Sequence, residues 1–411
     1  MKCVVILPVL TAFLSAYSWA DWECIGPDGG ELRTLFGSAT DPNTIYAFND
    51  YSPSRFVRSS DNGASWTVLG TIASMETCAE MGSGGRLYAG GNTEFFRSSD
   101  GGWTWTAASY PNTYFTALAA HPTAPDVIYG CGYAYSGSAC SMFFMQSTNG
   151  GASLSFSSVG PANTYGYAIS VSKTNPSVIF LSGFCYTGSG YAPRVYRSVN
   201  GGVSWSDVTP AGAASQEYSY AVAVSTADQN TVVFGTSSSI WRSADCGAGW
   251  TSVATDLVNP SGLQFSEANP DLVMCCGDTV VYRSADAGLS WSTVPSGTSS
   301  GKGSSSMYLH RTNQDLAFLG SGEGLLRSTD AGQSWTEYNG GVHLTEISAI
   351  GVTPSQPSRI FCQSVGNGIW SSTDNGANWS RLTTPLECGD FCGIVVKQTD
   401  PNTILALEGF G

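Results

Sequence analysis

Apolar and polar positions alternate over short stretches along most of this 411-residue chain. Ile45-Tyr46-Ala47, Val127-Ile128-Tyr129, Val178-Ile179-Phe180 and Val232-Val233-Phe234 are brief runs of β-branched and aromatic residues, the composition a buried, pleated strand favours. Turn formers often lead into such runs, as in Asp41-Pro42-Asn43, Asn175-Pro176 and Asn269-Pro270; their restricted φ and local side-chain hydrogen bonds reverse the chain. A second alternating run comes earlier in each unit, for example Phe115 to Ala120 and Tyr220 to Val224.

An octapeptide, Ser-x-Asp-x-Gly-x-Ser/Thr-Trp, recurs eight times and sets the spacing of these strands. Its acidic or amide position is Asp61, Asp100, Asn149, Asn200, Asp245, Asp286, Asp330 and Asp374 in turn. The steps between them are 39, 49, 51, 45, 41, 44 and 44 residues. A period near 40–45 residues with strand-like content predicts propeller blades. Within the octapeptide, Asp or Asn accepts backbone N–H groups to make a tight turn, Gly takes positive φ, and Trp opens the next strand and packs on its own blade. Arg58, Arg97, Arg197, Arg242, Arg283 and Arg327 precede six of the eight copies, a structural position. The ligand spacing of a calcium loop is absent and His121, His310 and His343 are scattered, so no metal or other cofactor is expected.

Each unit thus predicts four strands, A to D, joined by short turns, with the octapeptide at the C–D turn. Up-and-down sheets of this kind around an axis give an all-β, multi-bladed propeller of about eight or nine four-stranded blades. Complete units run over about 31–383, and Asp400-Pro401-Asn402-Thr403-Ile404 repeats Asp41-Pro42-Asn43-Thr44-Ile45, so 388–411 begins a ninth. Two readings follow. The stretch near Trp22 completes the last sheet and closes a ring of about nine blades, or the chain is a piece of a longer protein, incomplete at its C-terminal end.

In its octapeptides, Trp22, Ile25-Gly26-Pro27 and Gly29-Gly30, the sequence resembles the Asp-box (BNR) repeat proteins. These include sialidases, sortilin-type receptors, xyloglucan-active glycoside hydrolases and photosystem II assembly factors. The resemblance covers nearly all of residues 21–411. It implies the propeller fold, and ligand sites on the face of the B–C and D–A loops. It is weak for activity, because the superfamily mixes enzymes with binding proteins.

Composition narrows the partners. Only 12% of residues are charged and the net charge is -14, against about 25% charged in an average domain. Clustered basic residues for a nucleic-acid backbone or an anionic bilayer are missing. A hydrophobic content of 42% excludes disorder. Residues 1–20 read as a signal peptide: Lys2 supplies the charge, Val4 to Ala16 the apolar stretch, and Ser18-Trp19-Ala20 a cleavage site near Ala20. Secretion to the periplasm or cell exterior is therefore expected, with no membrane span afterwards. Some cysteines of an exported chain should pair; Cys131 with Cys140 and Cys388 with Cys392 are close enough in sequence to staple a loop.

The D–A junctions Asn112-Thr113-Tyr114, Asn163-Thr164-Tyr165 and Gln216-Glu217-Tyr218 carry tyrosines at matched positions, and two long B–C loops add Tyr133, Tyr135, Phe184, Tyr186 and Tyr191. Exposed rings of this kind stack on sugars, so Tyr114, Tyr165, Tyr218, Tyr133 and Tyr186 are candidate ligand-binding residues; the alternative is packing between blades. Glycoside hydrolysis would need two carboxyl groups about 5–10 Å apart. Asp50 and Glu217 are the catalytic candidates. Asp50 follows strand B of the first unit and resembles in place a catalytic Asp of xyloglucan-active hydrolases, although their Asp-x-Gly-Gly pattern is missing. The expectation is a secreted, monomeric binding module for polysaccharide or an extracellular protein, with a glycoside hydrolase as the alternative.

Overall fold

The computed structural model describes residues 29–408 apart from 31, 33, 50–53, 73–75, 214–215, 299–303, 323, 341, 343–346, 354, 365–367, 383–390 and 398. The expected signal peptide and its cleavage point at Ala20, the stretch near Trp22, and Asp50 lie outside the described residues. All regular structure described is strand: six four-stranded sheets, one six-stranded sheet and one two-stranded sheet, antiparallel throughout. Blade 1 holds Thr34–Gly37, Ile45–Phe48, Ser54–Ser59 and Thr67–Ile72 as strands A to D. Blades 4 to 8 repeat this order over 164–207, 221–254, 261–295, 304–337 and 347–381. Blades 2 and 3 share the six-stranded sheet, because Thr106–Ala120 runs as strand D of one and strand A of the other. Phe391–Val396 and Ile404–Glu408 form the two-stranded ninth unit.

The units match the repeat reading, but the ring closes on seven of them. Strand A of each blade packs on strand A of the next from blade 1 to blade 7, and strand A of blade 7 packs back on that of blade 1. Seven apolar clusters among the described residues each join two neighbouring blades of this ring. The cluster that closes it sets Leu35, Ile45 and Val57 of blade 1 against Tyr308, Phe318 and Leu325 of blade 7. Across the same seam the Leu35 N–H donates to Ser306 Oγ at 2.8 Å and the Leu32 N–H to the Ser321 carbonyl at 3.0 Å. Blade 8 and the ninth unit share a separate cluster built on Phe361, Ile369, Ile394 and Val396. A ring through all nine units is thereby replaced by one whose last gap is filled with buried side chains.

The octapeptide turns bind each blade internally and to its neighbour. In every copy the first serine is buried, from Ser59 to Ser372. In blade 7, Ser328 Oγ accepts the Gly332 N–H at 2.8 Å and donates to Asp330 Oδ1 at 2.8 Å. Asp330 also accepts the Ser334 N–H at 2.9 Å and the Ser334 hydroxyl at 2.6 Å. The arginines before the boxes reach across blades: Arg197, Arg242 and Arg283 donate to the carbonyls of Cys246, Ala287 and Ala331, each the residue after the Asp of the next box. All three acceptor residues share a left-handed backbone, with φ of 56 to 59°.

Expected disulfides are not made among the described cysteines. Cys131 lies opposite Phe144 and Cys140 opposite Tyr135 in the same strand pair, which separates the two along the ladder. Both are free thiols and buried, as are Cys275 and Cys276. Burial pushes Cys131 and Cys276 up to about 12. Cys388 lies outside the described residues.

Candidate functional site

Two regions at opposite ends of the strands that line the axis carry unusual chemistry. The first is the predicted tyrosine group. At its three D–A junctions Asn112, Asn163 and Gln216 sit at φ of 61°, 61° and 78°, so one turn geometry is used three times. Each following tyrosine then opens or precedes strand A. The Asn163 N–H donates to the Cys140 carbonyl at 2.6 Å and the Gln216 N–H to the Tyr191 carbonyl at 2.7 Å. These bonds pin the junctions into blades 4 and 5 to the B–C hairpin of the blade before each.

The structure brings all five candidate tyrosines into one chain of rings. Tyr114 stacks on Tyr133 at 5.0 Å, Tyr133 meets Tyr165 edge-on at 5.1 Å, and Tyr165 stacks on Phe184 at 5.2 Å. Phe184 meets Tyr218 at 4.9 Å, Tyr218 meets Tyr191 at 4.7 Å, and Tyr191 meets Tyr186 at 5.5 Å. Aromatic pairs at such separations add to the ordinary gain from burial. Most of these rings are half-buried against one another; Tyr135 at 38% and Tyr186 at 43% exposure form the open rim. Burial and the Tyr135 hydroxyl raise Tyr165, and burial and the Tyr133 phenol raise Tyr167, so both stay neutral hydrogen-bonding groups at physiological pH.

Tyr167 and Tyr220 belong to the same chain and were not singled out from sequence. Tyr167 stacks on Phe184 at 5.2 Å and meets Tyr220 at 5.0 Å. Their signal was the two-residue step in Tyr165-Gly166-Tyr167 and Tyr218-Ser219-Tyr220, which keeps both rings on one strand face. A bulge at Tyr167 between Gly166 and Ala168, matched at Thr116 in blade 3, offsets the register beside the rings. Glu217 stands next to Tyr218. Its Oε1 accepts the Ser238 hydroxyl, while its Oε2 is buried without a partner among the described residues.

The second region was missed by sequence reasoning. At the other end of strand A a cavity of about 510 Å³ opens on the axis among all seven blades, its mouth about 25 Å from the tyrosines by strand rise. One residue past each strand A, a side chain caps the A–B turn in most blades. Ser172 and Ser266 accept the N–H of Asn175 and Asn269 at 3.2 and 3.1 Å. His121 and His310 do so through Nδ1, accepting the N–H of Ala124 and Asn313 at 2.9 and 3.0 Å. One residue further on, the repeat places Ala39, Ser83, Pro122, Lys173, Thr226, Glu267 and Arg311 around the cavity mouth. Lys173 Nζ and Arg311 Nε lie 3.2 and 3.6 Å from Glu267 Oε1. Glu80 faces the same charges; burial raises its carboxyl, against the pull of Arg311 and Lys173.

Comparison with known proteins agrees with this architecture. The model of the DUF6242 beta propeller domain matches residues 39–276, more than half the chain. The chain belongs to the DUF6242 β-propeller family. The model described as sortilin, neurotensin receptor 3, matches residues 279–405 of this DUF6242 protein. No curated protein sequence matches it. Among solved structures, the GH74 xyloglucanase of Xanthomonas campestris is similar at 13% identity and TM-score 0.62, over 92% of this chain and 71% of that one. An ancestral GH74 enzyme is similar at 15% identity and TM-score 0.54, over 94% and 67%. At these identities the likeness is one of fold, an Asp-box propeller.

Proposed function

We propose that this protein is an exported binding propeller whose tyrosine shelf takes a polysaccharide. The observation that carries the reading is the unbroken chain of rings from Tyr114 to Tyr186, spread across blades 3 to 5 and open at Tyr135 and Tyr186. A sugar chain presents flat C–H faces that stack on such rings, and neutral phenols beside them bond its hydroxyls. The signal-like residues 1–20 support export. The xyloglucan named for one structural neighbour suggests the first polymer to try.

Affinity electrophoresis of the purified protein in gels cast with xyloglucan, other β-glucans or xylan tests this. Retention on at least one polymer is expected, and it should fall when Tyr135 and Tyr186 are changed to Ala. Those two rings are exposed, so a correctly folded variant is expected. Retention that survives the double change, or none on any polymer, would leave the shelf as packing between blades.

One observation favours a second reading, glycoside hydrolysis. Among the described residues, one Glu217 carboxyl oxygen beside the shelf has no partner. Release of reducing ends from a retained polymer, abolished by Glu217→Gln with binding intact, would establish it.

A further inference from the structure

The axial cavity on the Asp-box face lies outside the proposed polysaccharide site, and its charged side chains Lys173, Glu267 and Arg311 are not the ones that cap the repeat's turns. We infer that it is a binding site for a small carboxylate, anchored by Lys173 and Arg311. Three observations converge. First, seven blades deliver repeat-equivalent residues to this mouth, of which Lys173, Glu267 and Arg311 are charged, while Glu80 of blade 2 lines the cavity beside them with a carboxyl that burial pushes toward its neutral form. Two cations meeting at one mouth is a strong concentration in a chain with 17 basic residues and net charge -14. Second, both cations lean on the same oxygen, Glu267 Oε1. A carboxylate already occupies the place between them, and Glu267, with its side chain 37% exposed, is free to swing aside for another. Third, Tyr308 lines the cavity at 5% exposure with its hydroxyl close to the Arg311 backbone, and that buried hydroxyl finds no acceptor for its proton among the described residues. Buried donors without acceptors are rare, and they mark places where a ligand or water completes the bond.

A carboxylate fits this set because arginine and lysine donate charge-assisted bonds to it and a phenol adds a third. The volume suits a molecule of a few to a dozen heavy atoms. The Glu267 side chain then acts as an internal competitor, displaced when ligand binds. This gives the proposal a signature that a structural ion-pair cluster lacks: removing Glu267's charge should strengthen binding.

The test is isothermal titration of the purified protein with succinate, L-glutamate, D-glucuronate and inorganic phosphate, at constant ionic strength set with chloride. At least one of the carboxylates should bind. Arg311→Gln and Lys173→Gln should each weaken it about tenfold or more, Tyr308→Phe less, and Glu267→Gln should tighten it. The shelf variant Tyr135→Ala with Tyr186→Ala should bind it unchanged, which separates this site from the polysaccharide site. Thermal melting of each variant checks folding, and Glu267→Gln keeps the proposal testable if a cation variant fails to fold. No carboxylate binding, binding of phosphate alone, binding indifferent to Arg311 and Lys173, or weaker binding in Glu267→Gln would overturn it.

Discussion

Changing Ser284 to alanine removes a single oxygen from the box of blade 6 and leaves a buried N–H with nothing to bond. Ser284 is 1% exposed; its Oγ accepts the Gly288 N–H at 2.9 Å and donates to Asp286 Oδ1 at 2.7 Å. Gly288 is itself buried, so water does not replace the lost acceptor. An orphaned buried donor costs about 1–3 kcal/mol, and the bond to the carboxylate goes as well, so a loss of about 2 kcal/mol is expected. Asp286→Asn should behave quite differently. Asn149 and Asn200 already hold this position in blades 3 and 4. Their Oδ1 accepts the N–H of Ser153 and Ser204 at 3.0 and 2.9 Å, and their Nδ2 donates to the same serine's hydroxyl at 2.8 Å in both blades. In blade 6 that hydroxyl instead donates to Asp286 Oδ2 at 2.5 Å. Only the hydroxyl proton has to turn, so the change should stay within about 0.5 kcal/mol. The ranking is therefore serine over aspartate, the reverse of what the motif's name suggests. Urea unfolding followed by tryptophan fluorescence reads it, with m compared among variants so that the midpoint reports stability. A loss below about 0.5 kcal/mol in Ser284→Ala, or a larger loss in Asp286→Asn than in Ser284→Ala, would refute this account of the turn.

Ala287 and Ala331 sit at φ of 56° and 59°, where Gly101, Gly150 and Gly201 serve in other boxes. Left-handed backbone costs an L-residue about 1–2 kcal/mol and glycine about 0.5–1 in chain entropy, so Ala331→Gly should stabilise by about 0.5 kcal/mol, read by the same urea titration. Acid should act through the boxes: the Asn378 side chain and N–H hold Asp374 down at about 2, and Asp61, Asp100, Asp245, Asp286 and Asp330 are lowered too. Folding then favours the ionised form, and the stability this gives is present above about pH 4 and lost as pH falls below it; the acid limb of Tm against pH should flatten as box aspartates are replaced by asparagine. Burial lowers His310, so folding also favours neutral imidazole, and its contribution is lost as pH falls through about 6.5. His310→Ser, the residue at the matching place in blades 1, 4, 5 and 6, should keep the turn and remove that step from the Tm–pH curve.

What could be read from the chain divides along locality. The octapeptide turns and the matched junctions at Tyr114, Tyr165 and Tyr218 are contained within a few residues, and neighbouring blades are necessarily adjacent, so the tyrosine chain could be assembled on paper. Ring closure could not. Each strand A carries a similar alternation, and nothing local says that Leu35 seats on Tyr308 rather than on a residue of blade 8. The same limit hid the axial cavity. Lys173, Glu267 and Arg311 are 94 and 44 residues apart in turn, and only closure on blade 7 places Arg311 and Glu80 around one mouth. Cysteine spacing misled for a related reason. Only eight residues lie between Cys131 and Cys140 in sequence, yet the antiparallel register, not the spacing, decides which side chains meet, and it sets Phe144 and Tyr135 opposite them.

A repeat protein also filters its own information. Where every blade needs the same residue, the reason is structural: the buried box serine, or the serine or histidine one step past strand A that caps the A–B turn. His121 and His310 look like candidate ligands when read singly, but their Nδ1 atoms do the work of Ser172 and Ser266. The next position is free of that duty, since its side chain turns toward the axis. There the blades disagree, from Ala39 and Pro122 to Lys173, Glu267 and Arg311. The tyrosines obey the same logic at the opposite end, being present in blades 3, 4 and 5 and absent from the matching junctions of blades 6 and 7. Positions that a fold leaves unconstrained, filled by charge or by aromatic rings that converge in space, are where this propeller's chemistry has room to differ from its scaffold.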